Sequence, residues 1–211
     1  MTARPGRLVF VSGTATEIGK TWIAAALLRQ LRDAGIRVAA RKPAQSFEPG
    51  DRQTDADVLA AATGEAPETV CPPHRWYARG LAPPMAADVL ATPAFTVDDL
   101  AAELVWADDV EVGVVEGAGG PRSPLAADGD NVALARTIGP DTVLLVADAG
   151  LGTINAVRMS VDAFTGLPVT VVLNRFDDRD ALHRANREWL AERDGFDVVT
   201  GADTAASRIK E

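Results

Sequence analysis

The first apolar run of the chain, Leu8-Val9-Phe10-Val11, is short and is bracketed by Arg7 and Ser12. A brief run of that composition predicts a strand over Arg7 to Ser12. From Gly19 the period lengthens. Ile23, Leu27, Leu28 and Leu31 share one face of a helix over Gly19 to Ala34, with Gly35 as its stop. A short strand follows over Arg37 to Arg41. Three further runs, Val112 to Glu116, Thr142 to Ala147 and Val169 to Leu173, are rich in valine and bounded by glycine, proline or asparagine. Apolar at successive positions, they suit central parallel strands covered on both faces. Helices are expected over Asp55 to Thr63, Thr96 to Trp106, Thr153 to Phe164 and Arg179 to Arg193. Strand and helix alternating in this way predict an α/β chain with a doubly wound, mostly parallel sheet flanked by helices on both faces.

One stretch breaks the alternation. About 70 residues separate Arg41 from Val112 without a core strand, and Pro67, Pro72, Pro73, Pro83, Pro84 and Pro93 punctuate them. A long excursion at the end of a parallel strand is a place for binding loops. His74, Trp76 and Tyr77 within it read as residues that pack it onto the sheet.

Composition narrows the function. The 211 residues carry a net charge of -9, which disfavours a sequence-independent nucleic-acid binder that needs a basic face. Cys71 is the only cysteine, so no intrachain disulfide forms and a reducing compartment fits. It reads as an inert small residue. No apolar run approaches the roughly 20 residues that span a bilayer, and the segment after Arg4 and Arg7 lacks the long apolar stretch of a secretory signal. The expectation is one cytoplasmic domain over residues 1–211, with no membrane partner.

The chemistry lies in the turns that follow the strands. GTATEIGKT at 13 to 21 joins a strand to a helix. Free backbone N–H groups at a helix start, with the helix dipole, form an anion site. Gly19 lets the backbone approach a phosphate, Lys20 brings a positive charge to the β- and γ-phosphates, and the Thr21 hydroxyl can coordinate Mg²⁺. The usual first glycine is displaced: Thr14 stands there and Gly13 comes one residue early. Lys42 leaves the second strand in RKPAQS, where it faces a transferring phosphoryl group or, in isolation, reads as a surface lysine. Asp55 opens a helix and serves as an N-cap or a metal ligand. Glu116 ends a strand and leads into GAGG, an acid for Mg²⁺ followed by glycines that pass close to phosphates. LGTIN at 151 to 155 precedes a helix with Gly152 or Thr153 as cap. Asn174 ends a strand, where its amide reads a nucleobase edge or caps a turn.

Taken together these stretches resemble the dethiobiotin synthetase family. The matching pieces are GTATEIGKT, the KP-x-x-S loop at Lys42 to Ser46, Asp55, VEGAGG at 115 to 120, LGTIN and LNRF at 173 to 176, in family order from residue 7 to about 176. The resemblance implies a P-loop NTPase fold and a homodimer. It implies an ATP- and Mg²⁺-dependent ligase that joins 7,8-diaminononanoate and CO₂ and closes the ring to dethiobiotin, through a carbamate and its mixed anhydride with phosphate. By position it implies Lys20, Lys42 and Thr16 as catalytic residues and Ser46 on the substrate side. Thr21, Asp55 and Glu116 become the metal ligands. Glu17, Ile18, Gly19, Lys20, Thr21, Trp22, Asp55, Glu116, Gly117, Ala118, Gly119 and Asn174 line the nucleotide.

Four features depart from the family. Phe47 stands where glycine is usual, Met85 replaces the histidine of a Pro-His pair, and Pro121-Arg122-Ser123-Pro124 is more polar than the family's stretch. After Asn186 the Ile-Pro segment near the adenine pocket is missing, which leaves base preference open. The rival readings are an amidating ligase, an ATPase switch and a catalytically silent paralogue of the same fold. Ala15, where the switches carry a signature lysine, counts against the second.

Overall fold

The computed structural model describes residues 4–210. Its first half runs β1 (Arg7–Gly13), α1 (Lys20–Asp33), β2 (Val38–Arg41), β3 (Gln45–Ser46), α2 (Asp55–Thr63), α3 (Pro67–Val70), a single 3-10 turn at Pro73–Arg75, β4 (Trp76–Tyr77), α4 (Pro83–Val89) and α5 (Val97–Ala102). The second half runs β5 (Val112–Glu116), β6 (Pro124–Ala126), β7 (Gly129–Asp130), α6 (Asn131–Ile138), β8 (Thr142–Asp148), α7 (Thr153–Ala163), β9 (Val169–Asn174), α8 (Ala181–Glu188), a π turn at Trp189–Arg193, β10 (Asp197–Val199) and α9 (Ala202–Lys210).

Six strands pair in the order β10-β9-β8-β1-β5-β2, every pair parallel. β1 lies inside the sheet and alternates its side chains between two apolar layers. Leu8 and Phe10 join the layer covered by α5, α6 and α7; Val9 and Val11 join the layer covered by α1, α2 and α9. Both sets are buried, which is why the strand reads as an unbroken apolar run rather than an alternating one. The doubly wound expectation is met. Among the described residues no helix is long and apolar enough to cross a membrane.

The excursion contributes no strand to this sheet, only the two-residue pair β3–β4. Tyr77 is buried and stacks on Phe95 with ring centroids 5.8 Å apart, and the Trp76 indole N–H donates to the Cys71 carbonyl. His74 stays exposed beside Glu103. Burial pushes the Cys71 thiol up to about 12, so the cysteine stays protonated and inert.

The helix expected over Thr96 to Trp106 stops at Ala102. Beyond it Trp106 packs its ring so close to Gly113 that a side chain there would overlap it. Arg41 lies over the same ring at 4.8 Å and donates to the Val105 carbonyl. Those contacts hold the chain out of helical geometry, although its apolar spacing is helical. The helix expected over Arg179 to Arg193 is α8 followed by the π turn. The pattern did not predict α6, β10 or α9.

Candidate functional site

Parallel pairing of β2 with β5 and of β5 with β1 places the ends of these strands side by side. The turns that carry Lys20, Lys42 and Glu116 therefore meet along one rim of the sheet. Lys20 begins α1, and Gly19 before it has φ 95°, a left-handed conformation that suits glycine. A Cβ at Gly19 would also run into the Asn174 amide nitrogen. Glu17 holds φ 59°, uncommon for a residue with a side chain, so the loop carries local backbone strain.

Thr21 and Lys42 tie the rim together. The Thr21 hydroxyl lies 2.9 Å from Asp55 Oδ1 and 2.8 Å from Glu116 Oε1. Lys42 Nζ lies 2.7 Å from Asp55 Oδ2 and 2.7 Å from Glu116 Oε1, and it donates to the Gly117 carbonyl at 2.9 Å. Lys42 is 2% exposed. This corrects the surface reading that Lys42 invites in isolation: two carboxylates compensate the buried charge. Asp55 is free to do so because Thr54, not Asp55, caps α2. The Thr54 hydroxyl accepts from the Asp57 N–H while the Asp57 carboxylate accepts from the Thr54 N–H.

Charge and burial pull these groups in different directions. Burial alone would lower Lys42, but Asp55 and Glu116 outweigh it and hold the amine above the ordinary range. The Lys42 charge holds Asp55 below the usual carboxylate value against the effect of its burial. Burial raises Glu116, Lys42 opposes, and the Asp55 charge adds to the rise. Lys20, buried and bonded to the Ala15 carbonyl at 3.2 Å, is lowered by desolvation and then by Lys42.

The rim suits a hard divalent cation. Glu116 Oε2 is buried without a hydrogen-bond partner among the described residues. The other Glu116 oxygen, Oε1, and Asp55 Oδ1 share the Thr21 hydroxyl, with Lys42 Nζ against both acids. Among the described residues no group of three or more His, Cys, Asp or Glu side chains forms a metal cage. Two acids and a hydroxyl match an ion that completes its shell with phosphate and water, as Mg²⁺ does.

The remaining predicted residues divide. Thr16 Oγ1 sits near Gly119, whose φ of 69° carries the loop back past the phosphate turn. Ser46 Oγ is buried without a partner among the described residues. Asn174 donates through Nδ2 to the Ile18 carbonyl at 2.9 Å, and its Oδ1 accepts from the Arg175 N–H at 3.0 Å. Its amide therefore fastens the phosphate loop to the end of β9. Gly19, Trp22 and Asn174 face a cleft of about 460 Å³ that Thr200 and Gly201 close from the far side. At the fourth turn, Gly152 caps α7 and the Thr153 hydroxyl donates to the Asp148 carbonyl.

Sequence reasoning missed Asn131. The first residue of α6, it accepts from the Ala118 N–H at 3.0 Å and donates to the Ala118 and Gly120 carbonyls at 2.7 Å each. Gly117 leaves it room, since a Cβ there would overlap the Asn131 side chain. The available signal was Asp130 as a cap before Val132, Leu134 and Ala135, with Gly139 as the stop. Thr200 and Gly201 gave no chemical signal of their own.

Comparison with known proteins shows what the whole chain is similar to. Residues 7–202 match the model of the AAA domain family. The ATP-dependent dethiobiotin synthetase BioD of Anaeromyxobacter dehalogenans is 40% identical over 179 residues, 82% of this chain and 79% of that protein. The protein of the same name from Haloferax mediterranei is 40% identical over 198 residues, 90% of this chain and 81% of its own length. In fold, the chain resembles the signal recognition particle receptor FtsY of Elizabethkingia anophelis, with a TM-score of 0.53 at 17% identity. That match covers 93% of this chain and 57% of the receptor.

Proposed function

The chain carries the AAA domain and belongs to the ATP-dependent dethiobiotin synthetase family, and from that premise we propose how its residues divide the work. It is an ATP-dependent ligase of biotin biosynthesis. In the proposed reaction one amine nitrogen of 7,8-diaminononanoate bonds to the carbon of CO₂ and loses a proton, giving a carbamate. A carbamate oxygen bonds to the γ-phosphorus of ATP as ADP departs. The second amine then bonds to the carbonyl carbon. Phosphate leaves with the former carbamate oxygen, and proton loss gives the cyclic urea.

Both reacting partners in the phosphoryl step are anions, so positioning and charge stabilisation supply the catalysis, with no protein nucleophile required. Lys20 holds the β- and γ-phosphates beside the backbone N–H groups of the loop. Lys42 holds the carbamate against the γ-phosphate, with Thr16 and Ser46 as substrate-side hydroxyls. Thr21, Asp55 and Glu116 would hold a Mg²⁺ ion, which when bound would neutralise polyphosphate charge. Residues 117–119 and Asn174 line the nucleotide. The enzyme works as one domain in a cytoplasmic homodimer.

The observation that carries this assignment is the meeting of Lys42, Asp55, Glu116 and Thr21 within 2.9 Å contacts, although they come from four separate segments. The test is incubation of the purified protein with the diamine, bicarbonate, Mg²⁺ and ATP. Phosphate release that depends on the diamine, with dethiobiotin formed in equal amount, is expected. Hydrolysis indifferent to the diamine, with no ring product, would instead support a switch. No turnover at all would support a silent paralogue.

A further inference from the structure

The cleft beside the phosphate loop has an unusual wall. Trp22 is the third residue of α1, directly after the Lys20-Thr21 pair, and 58% of it is exposed. It lines the cleft with Asn174, Arg175, Phe176, Thr200 and Gly201. A large aromatic side chain left this open at the start of a buried helix gains nothing from the core, whose α1 contribution comes from Ile23, Leu27, Leu28 and Leu31. The groups that could read the edge of a base are few. Asn174 has given one N–H to Ile18 and one lone pair to the Arg175 N–H, which leaves it one of each, and Thr200 adds a hydroxyl. The Arg175 side chain is mostly exposed and makes only a loose 3.7 Å pair with Asp148, and Arg175 itself sits at φ 57°. Phe176 and Gly201 offer apolar or flat surface.

We infer that Trp22 is the stacking platform for the nucleobase, and that this chain holds the base by its face rather than by its edge. The inference rests on the proposed ATP site and specifies how that site treats the base. Stacking discriminates weakly because every base has a π-face, whereas a site built to pair with base-edge groups rejects a ligand lacking them by roughly 10⁴-fold or more. The chain therefore accepts purine and pyrimidine triphosphates alike, with the larger purine bound somewhat more tightly.

Titration calorimetry with Mg²⁺ present tests this on three ligands: ATP, CTP and inorganic triphosphate, which has the charge but no base. Wild-type protein is expected to bind ATP and CTP within about tenfold of each other. Trp22→Ala is expected to lose about 10- to 100-fold in affinity for both, while its affinity for triphosphate stays at the wild-type value. Trp22→Phe keeps a ring and should recover most of the loss, which separates stacking from a general disturbance of α1. Equal ATP affinity in wild type and Trp22→Ala, with triphosphate still bound, overturns the stacking role and leaves the phosphate site standing. A preference for ATP over CTP near 10⁴-fold overturns base tolerance. Failure of triphosphate to bind wild-type protein overturns the phosphate site itself, and the inference with it.

Discussion

Two regions of opposite character lie either side of Gly19 and Lys20. Toward β5, Thr21, Lys42, Asp55 and Glu116 form a knot in which the buried lysine bonds both acids, Glu116 buried and Asp55 partly exposed. Toward β9, the cleft walled by Trp22, Asn174 and Gly201 is open, and its one salt-bridged side chain reaches only a 3.7 Å pair. The first region is fixed by charge. A buried ammonium and two carboxylates tolerate only arrangements in which each is compensated. The second is fixed by shape, and shape permits substitution. On the proposed assignment, the difference would separate the demands of phosphoryl chemistry from those of holding a base.

The largest expected effect lies in the knot. Lys42→Ala leaves two carboxylates facing each other without a cation. Turnover should fall by about 10³-fold or more. The loss of one partner from a buried cluster, about 3–5 kcal/mol, should lower the melting temperature by roughly 10 °C. An unchanged melting curve would mean that the knot is no tighter than the cleft. Next comes Glu116→Gln, which keeps the shape and removes a charge. Its Mg²⁺ affinity, read from the metal dependence of turnover, should weaken by at least the about 10- to 100-fold that outer-shell changes produce. The same titration curve as wild type would remove Glu116 from the metal site.

A smaller, graded effect follows from Lys20. Desolvation and Lys42 lower its amine below the ordinary lysine value of 10.5, so its charge disappears earlier as pH rises. The kcat/KM for ATP reports the free enzyme and should decline above that lowered value, by about tenfold per pH unit. Lys20→Arg, however slow, should lack this limb because guanidinium stays charged. A limb that persists in the arginine variant would assign the titration elsewhere. The smallest effect is expected of Thr54→Ala. Removing a cap costs about 1 kcal/mol, or roughly 2–4 °C in melting temperature. A larger drop would show that the cap also holds Asp55 in the knot.

The same contrast governs what the sequence disclosed. The knot was legible in part because lysines, acids and glycines at strand ends are few and chemically specific: GTATEIGKT and VEGAGG each pointed to a role. Asp55 left a helix cap and a metal ligand both open, and Lys42 was ambiguous too. Its burial depends on Asp55 and on Glu116, which is 74 residues away, and such pairing is invisible to local pattern. The sheet was legible at β1, β2, β5, β8 and β9, where apolar runs stand out between turns. β10 has three residues, and β3, outside the sheet, has two, too few to carry a period. Leu104 and Trp106 continued the helical spacing of α5 but are buried in an irregular stretch after it, where the packing of Trp106 against Gly113 overrides propensity. The cleft was legible at Gly19, Trp22 and Asn174 but not at Thr200 and Gly201, which carried no chemical signal of their own.

Asn131 has a consequence for the speed of encounter. Its single side chain bonds four backbone groups of the loop after β5, so that loop takes its form when α6 folds and not when a ligand arrives. An incoming triphosphate meets a surface with little left to immobilise, and its binding free energy is not diluted by the entropy of loop ordering. Capture should then proceed in one kinetic phase, with a rate that climbs in direct proportion to nucleotide concentration and shows no plateau from a slow rearrangement.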